Sequence, residues 1–117
     1  MDLDSAVQVH AEWKVKLRTA ITKQETMDAK TIGVDNLCTL GKWLHGDGKA
    51  KYGKLPAFSE CVSAHAAFHK AAGQVAQVIS AKKYDEATKM LDNGTEFSKA
   101  STAVGVALGK LKKEAKL

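Results

Sequence analysis

In the run His65-Ala66-Ala67-Phe68-His69 two histidines stand four residues apart. On a helix that spacing puts both imidazoles on one face, one turn apart, within reach of a single ion. His10 and Cys38 lie upstream and offer the same kind of donor. Three neutral imidazoles and one thiolate make a tetrahedral set suited to zinc, a borderline-soft ion held at about 2.0–2.1 Å by nitrogen and about 2.3 Å by sulfur. Four protein donors leave the ion no open position for water, which argues against zinc hydrolysis. Ala66 also stands where an H-E-x-x-H helix carries its general-base glutamate. The expectation is one Zn2+ per chain, held by His10, Cys38, His65 and His69, in a protein that is not an enzyme.

The other candidates fail on reach. His45 follows Cys38 by seven residues, about 10.5 Å along a helix, and reads as a surface residue near a turn. Cys61 precedes His65 by four and could replace Cys38 as the sulfur donor. Three successive donors on one helix would, however, spread over about 12 Å and converge poorly, so Cys61 reads as a small core residue. In a competing account His10, His65 and His69 are hydrogen-bonded core histidines and Cys38 is a small hydrophobe. It leaves the donors and acceptors of three imidazoles to be satisfied one by one in a small core. Trp13, Trp43 and Phe68 read as ordinary packing. A haem or di-iron carrier is disfavoured by the lack of a C-x-x-C-H sequence and of paired inward Glu-x-x-His motifs.

The elements that must position these donors are helical. Ala and Lys are abundant, and β-branched and aromatic residues form no alternating runs. Asp2 or Asp4 can cap a first helix to about Gln24, with Leu3, Val7, His10, Leu17 and Ile21 on one stripe and Trp13 beside it. After a polar break over 28–33, Asp35 can cap a shorter second helix containing Leu37, Cys38, Leu40, Gly41 and Leu44, closed by Gly46-Asp47-Gly48. Residues 49–55 form a connector with room for one helical turn near Tyr52. Pro56 suits the first position of a third helix running to about Ala81, with Phe58, Val62, His65, His69, Ala72, Ala76 and Ile79 on its inward seam. Lys82-Lys83-Tyr84 breaks the pattern. Asp85 can cap a fourth helix in which Met90, Gly94, Phe97, Ser101, Val104, Leu108 and Leu111 step by four and three, with Asn93-Gly94 able to interrupt it. These patterns predict an all-α fold, an antiparallel four-helix bundle with a shorter second helix and the metal site buried between facing helices.

The chain of 117 residues, 44% hydrophobic and 26% charged, fits a single domain over 1–117 with a modest core. Its formal charge is +5, and seventeen of its eighteen cations are lysines, with one group at Lys110, Lys112, Lys113 and Lys116. A nucleic-acid groove usually adds arginine and interleaved aromatics, so no nucleic-acid partner is expected. The acidic start leads into no signal-type apolar run, and no stretch approaches the roughly 18 apolar residues of a spanning helix. No membrane insertion is expected, and the location reads as cytoplasmic. Two cysteines make no disulfide framework, and in a reducing compartment they serve packing, catalysis or metal ligation.

In order along the chain, His10-Ala11-Glu12-Trp13, Cys38-Thr39-Leu40-Gly41-Lys42-Trp43-Leu44, Tyr52 and His65-Ala66-Ala67-Phe68-His69 resemble the H-x-x-W, C-x-L-G-x-W-L and H-x-x-F-H blocks of the chemoreceptor zinc-binding (CZB) domain family, a cytoplasmic bacterial module. The resemblance spans roughly residues 7–108. It implies a helical bundle that binds zinc tightly through His10, Cys38, His65 and His69 and that commonly forms a homodimer. It also implies attachment to a chemoreceptor signalling region or a diguanylate cyclase, in chemotaxis or cyclic-di-GMP control, and sensing of zinc or of oxidants such as hypochlorous acid through the zinc-bound cysteine. Neither output domain is in this sequence, so the resemblance fits a stand-alone member acting in trans or a piece of a larger receptor acting in cis.

A zinc-bound sulfur is a thiolate, and its oxidation weakens it as a ligand. Cys38, on a short helix between glycine-bearing connectors, is therefore the redox-switch candidate. The alternative is a structural, zinc-stapled dimerisation module in which the metal contributes folding energy and carries no signal.

Overall fold

The computed structural model describes residues 2–34, 38–92 and 94–116. Every regular element among them is an α-helix, as the sequence predicts. The first, α1 (Leu3–Lys23), starts where the Asp2 carboxylate accepts hydrogen bonds from the amides of Asp4 and Ser5. It stops at Gln24, whose left-handed backbone returns its amide to the Ala20 and Ile21 carbonyls. Its buried stripe is Leu3, Ala6, His10, Leu17 and Ala20. Val7 and Ile21, expected on that stripe, are half-buried at its edge, and Ala6 and Ala20 beside them in sequence are the buried residues.

The polar break contains a single helical turn, α2 (Ala29–Ile32), capped by the Asp28 carboxylate on the Thr31 amide and carrying buried Ile32. The expected cap Asp35 and the apolar Leu37 lie outside the described residues. The second expected helix, α3 (Thr39–His45), is shorter than predicted at its start. Cys38 is not inside it but is its N-cap, with Sγ accepting from the Gly41 amide at 3.3 Å. A cap needs extended backbone and a side-chain acceptor, and the Cys38 sulfur supplies the acceptor. The connector forms α4 (Asp47–Tyr52), a little more than the one turn foreseen.

Pro56 opens α5 (Pro56–Ser80) at its first turn, where the missing amide hydrogen costs nothing. The expected fourth helix is two. In α6 (Tyr84–Met90) the N-cap is Lys83, and Asp85 lies in the first turn instead of capping it. The chain then breaks through Gly94, at φ +85°, and Thr95 caps α7 (Glu96–Ala115) through the Ser98 amide. Asn93 lies outside the described residues. The Thr95 hydroxyl also reaches back to the Met90 and Asp92 carbonyls, which fixes the corner between the two helices.

The core sits around α5. Phe68, Val75 and Ile79 pack with Leu17 of α1 and with Val104, Leu108 and Leu111 of α7, all fully buried. Lys112 Nζ meets Asp4 Oδ2 at 2.6 Å, Lys110 meets Glu60 at 3.6 Å, and Glu114 accepts from the Ala57 amide. The end of α7 therefore lies beside the starts of α1 and α5. At the opposite end Ser80 clamps the chain beyond α1, donating to the Met27 carbonyl and accepting from its amide. Among the described residues no helix is long and apolar enough to cross a membrane.

Burial and not surface pairing should carry the stability. Leu108→Ala is expected to cost about 2–5 kcal/mol, whereas Lys112→Ala, which removes an exposed pair, should cost less than about 1 kcal/mol. Urea unfolding of the two variants beside wild type checks the ranking.

Candidate metal centre

The donors come from three elements. His10 sits mid-way along α1, Cys38 caps α3, and His65 and His69 occupy successive turns of α5. The structure brings all four together, with one donor atom from each within 4.8 Å of all the others. The three imidazoles are buried, at 4%, 0% and 3% exposure, while Cys38 is half-buried. Its Sγ lies 3.2 Å from His65 Nε2 and 3.6 Å from His69 Nε2, and the two Nε2 atoms are 3.1 Å apart.

The protons on two of the rings follow from their partners. A carbonyl can only accept, so the contacts of His10 Nδ1 with the Ala6 carbonyl at 2.8 Å and of His69 Nδ1 with the Ile32 carbonyl at 2.9 Å place a hydrogen on each Nδ1. In the neutral rings Nε2 is then a bare lone pair. The His10 Nε2 is buried and meets no hydrogen-bond partner among the described residues. Burial pulls the His10 pKa below its ordinary value, against the raising effect of the Ala6 carbonyl and with a further lowering from nearby His69. Burial thus favours the neutral ring, the form that can bind a metal.

The separations among Cys38, His65 and His69 suit one tetrahedral zinc, with the His10 donor atom within 4.8 Å of each of them. Bond lengths of about 2.05 Å to nitrogen and 2.3 Å to sulfur set donors about 3.3 Å apart for two nitrogens and about 3.6 Å for nitrogen and sulfur. The observed 3.1, 3.2 and 3.6 Å fall close to both. A buried Nε2 with a lone pair and no proton donor is what an ion would satisfy. Residues 10, 38, 65 and 69 could therefore hold the metal, with Nδ1 of His10 and of His69 oriented by carbonyls.

Both rejected candidates stay apart from the cluster. His45 is exposed near the end of α3. Cys61 is buried at 1% exposure, and burial pushes its thiol up to about 11, so it remains protonated and packs as a small apolar group. Trp43 packs on Tyr52 and Phe58, as read from the sequence. Phe68 does more than fill space: its ring meets His10 at 5.2 Å and His69 at 5.6 Å between centroids, edge to face, and walls off the imidazoles. Trp13 lies edge-on to His69 at 6.5 Å.

Sequence reasoning missed the groups that aim the imidazoles. The Ala6 carbonyl was legible in principle, since it lies one turn before His10 on the same helix. The Ile32 carbonyl was not, because it comes from α2, where no helix was foreseen. α2 reaches α5 through a backbone contact: a Cβ added to Gly73 would lie 2.7 Å from Gly33 Cα and 3.3 Å from the Ala29 carbonyl oxygen. Glycine at 73, one turn beyond His69, is what lets α2 come close enough to hold that ring.

A family model described as the chemoreceptor zinc-binding domain matches residues 10–76, 67 of the 117 residues. It spans all four donors and ends within α5, short of the residue 108 to which the sequence resemblance was drawn. No curated protein and no solved structure matches the chain.

Gly73→Ala should push α2 off α5. The expected cost is about 1–3 kcal/mol of stability and, with the Ile32 carbonyl withdrawn from His69, about 10–100-fold in zinc affinity. Thermal unfolding and competition with a zinc chelator check both figures.

Proposed function

This chain belongs to the chemoreceptor zinc-binding domain family, whose cofactor is zinc, and on that premise we propose a sensory or regulatory module of bacterial signalling that serves chemotaxis or cyclic-di-GMP control. In this reading His10, Cys38, His65 and His69 hold one zinc ion per chain, and the stimulus is zinc itself or an oxidant such as hypochlorous acid acting at the Cys38 sulfur. The observation that carries it is the convergence of four donor atoms from three elements within 4.8 Å. Zinc, when bound, keeps the Cys38 sulfur a thiolate, the form that oxidants attack. The protein's own part is to aim the imidazoles by carbonyls at Nδ1 and to shield them with Phe68, while leaving sulfur as the one donor not buried. A set of four protein donors leaves no position for a reacting water, which supports a role without catalysis.

The wider reading is of one domain over 1–117. Its architecture is an antiparallel bundle in which α3 is the shortened second member and α6 with α7 make the fourth. It is supported by the pairing of the end of α7 with the starts of α1 and α5. We place the module in the cytoplasm, where a cysteine stays reduced and able to ligate. Its partners in this reading are a second copy of the chain and a chemoreceptor or diguanylate cyclase output domain, in cis or in trans.

Protein purified without a metal-affinity tag should contain about one zinc per chain by elemental analysis. His65→Ala or His69→Ala should lower zinc affinity by at least about 100-fold, more than the loss of an orienting partner costs. His45→Ala should leave it unchanged, and full affinity in the first two variants would break the assignment.

Oxidant titration separates the sensor from a zinc staple. The sensor releases zinc or changes helical content at low molar excess of hypochlorous acid in wild type and not in Cys38→Ser. A staple resists until the fold itself is lost.

A further inference from the structure

The lysines are unevenly placed along the molecule. The starts of α1 and α5, the end of α7 and the segment α3–α4 share one end. Glu114 accepts from the Ala57 amide, Lys112 meets Asp4, and Trp43 of α3 packs on Phe58 of α5 and on Tyr52 of α4. Eight of the seventeen lysines lie there, against five carboxylates, Asp2, Asp4, Asp47, Glu60 and Glu114. Toward the other end Lys23, Lys30, Lys82, Lys83 and Lys89 stand among six carboxylates, Glu25, Asp28, Asp85, Glu86, Asp92 and Glu96. One end is therefore basic and the other is balanced.

Most of the charge at the basic end is not used by the fold. Lys110 and Lys112 pair with Glu60 and Asp4. Lys42, Lys49, Lys51, Lys54, Lys113 and Lys116 are exposed and pair with no carboxylate among the described residues. Asp2 and Glu114 are occupied by backbone amides. Six ammonium groups thus remain for a partner. Trp43, Tyr52 and Leu55 lie among them, half-buried, with part of each side chain reaching solvent.

We propose that this end docks peripherally on a surface of anionic phospholipid headgroups. Near such a surface each lysine raises partitioning about fivefold. Lysine is a point charge on a flexible stem, which suits headgroups that move laterally. The fixed carboxylates of a protein or phosphates of a nucleic acid are more often read by the bidentate fork of arginine. The one arginine, Arg18, lies in the second half of α1, away from this end. Tryptophan and tyrosine rings suit the boundary between headgroups and acyl chains. No helix among the described residues is long and apolar enough to cross a membrane, so the contact is made by surface lysines and half-buried aromatics. The proposal goes beyond the signalling reading and does not depend on what the metal site senses.

The test is sedimentation of the full chain with vesicles of phosphatidylcholine, alone or mixed with an equal part of phosphatidylglycerol. Wild type should bind the mixed vesicles at least about tenfold more tightly than the neutral ones. The preference should fade as salt shortens the screening length from about 10 Å at 0.1 M to about 3 Å at 1 M. Lys51→Glu with Lys54→Glu, and separately Lys113→Glu with Lys116→Glu, should each weaken binding to mixed vesicles at least about tenfold. Lys82→Glu with Lys83→Glu changes the net charge equally at the other end and should weaken it less than about threefold. Helical content by circular dichroism checks that the variants fold, and if one pair at the basic end does not, the other decides. Wild type without a preference for mixed vesicles would overturn the proposal. So would equal weakening by all three pairs, since net charge and not its placement would then be at work. A single-stranded oligonucleotide or polyglutamate bound at the same salt as tightly as the mixed vesicles would overturn the assignment to lipid.

Discussion

Three imidazoles and a sulfur turned toward one point inside a core of this size constitute the constraint on which the fold depends. Each bare Nε2 is an acceptor removed from water, and uncompensated burial of such a group costs roughly 1–3 kcal/mol in protein contexts. A cation among them converts that cost into ligand bonds. The same requirement explains why α1, α3 and α5 must meet at one level: no pair of them carries enough donors to enclose an ion alone. Metal binding in that sense adds to the stability that burial of the core supplies.

The orienting contacts spread this constraint beyond the four donors. His10 is aimed from within its own helix by the Ala6 carbonyl, a local arrangement that forms with α1. His69 is aimed by the Ile32 carbonyl from a different element. Its geometry therefore depends on a single helical turn, on the backbone contact of Gly33 with Gly73, and on the Ser80 clamp at Met27. A substitution in α2 or at Gly73 touches no donor yet moves one.

What the sequence made legible follows the range of the interactions involved. The pair His65 and His69 was readable because one helix face fixes their spacing, and the long helices α1 and α5 were readable because their apolar residues recur over many turns. Joining His10 and Cys38 to that pair required only that inward residues of neighbouring helices meet. The failures were of three kinds. α2 is too short to show a period and is held by long-range contacts with α5, whereas the turn foreseen near Tyr52 is present as α4. The corner between α6 and α7 falls where Asn93-Gly94 was read as able to interrupt one helix, but the four-three spacing of Met90, Gly94 and Phe97 hid that it is a full break, decided by Gly94 and the Thr95 hydroxyl. The start of α3 was misplaced because cysteine is not among the usual capping residues.

That last failure bears on the chemistry. The Cys38 sulfur accepts the Gly41 amide that starts α3, and it lies 3.2 and 3.6 Å from two of the candidate ligand nitrogens. One atom therefore ties the start of a seven-residue helix to the buried histidines. The imidazoles of His10 and His69 have carbonyl partners, and His65 lies inside a helix of 25 residues. If sulfur is oxidised, its charge, size and directions of bonding change together, and the cap and the ligand are altered in a single event. The helix whose start would lose its attachment is then a short one, held otherwise by buried Leu40 and Leu44, whereas α5 is held along its length by its packing on α1 and α7. Local release of a short element against a fixed core is a form of motion that a signalling module can transmit without unfolding.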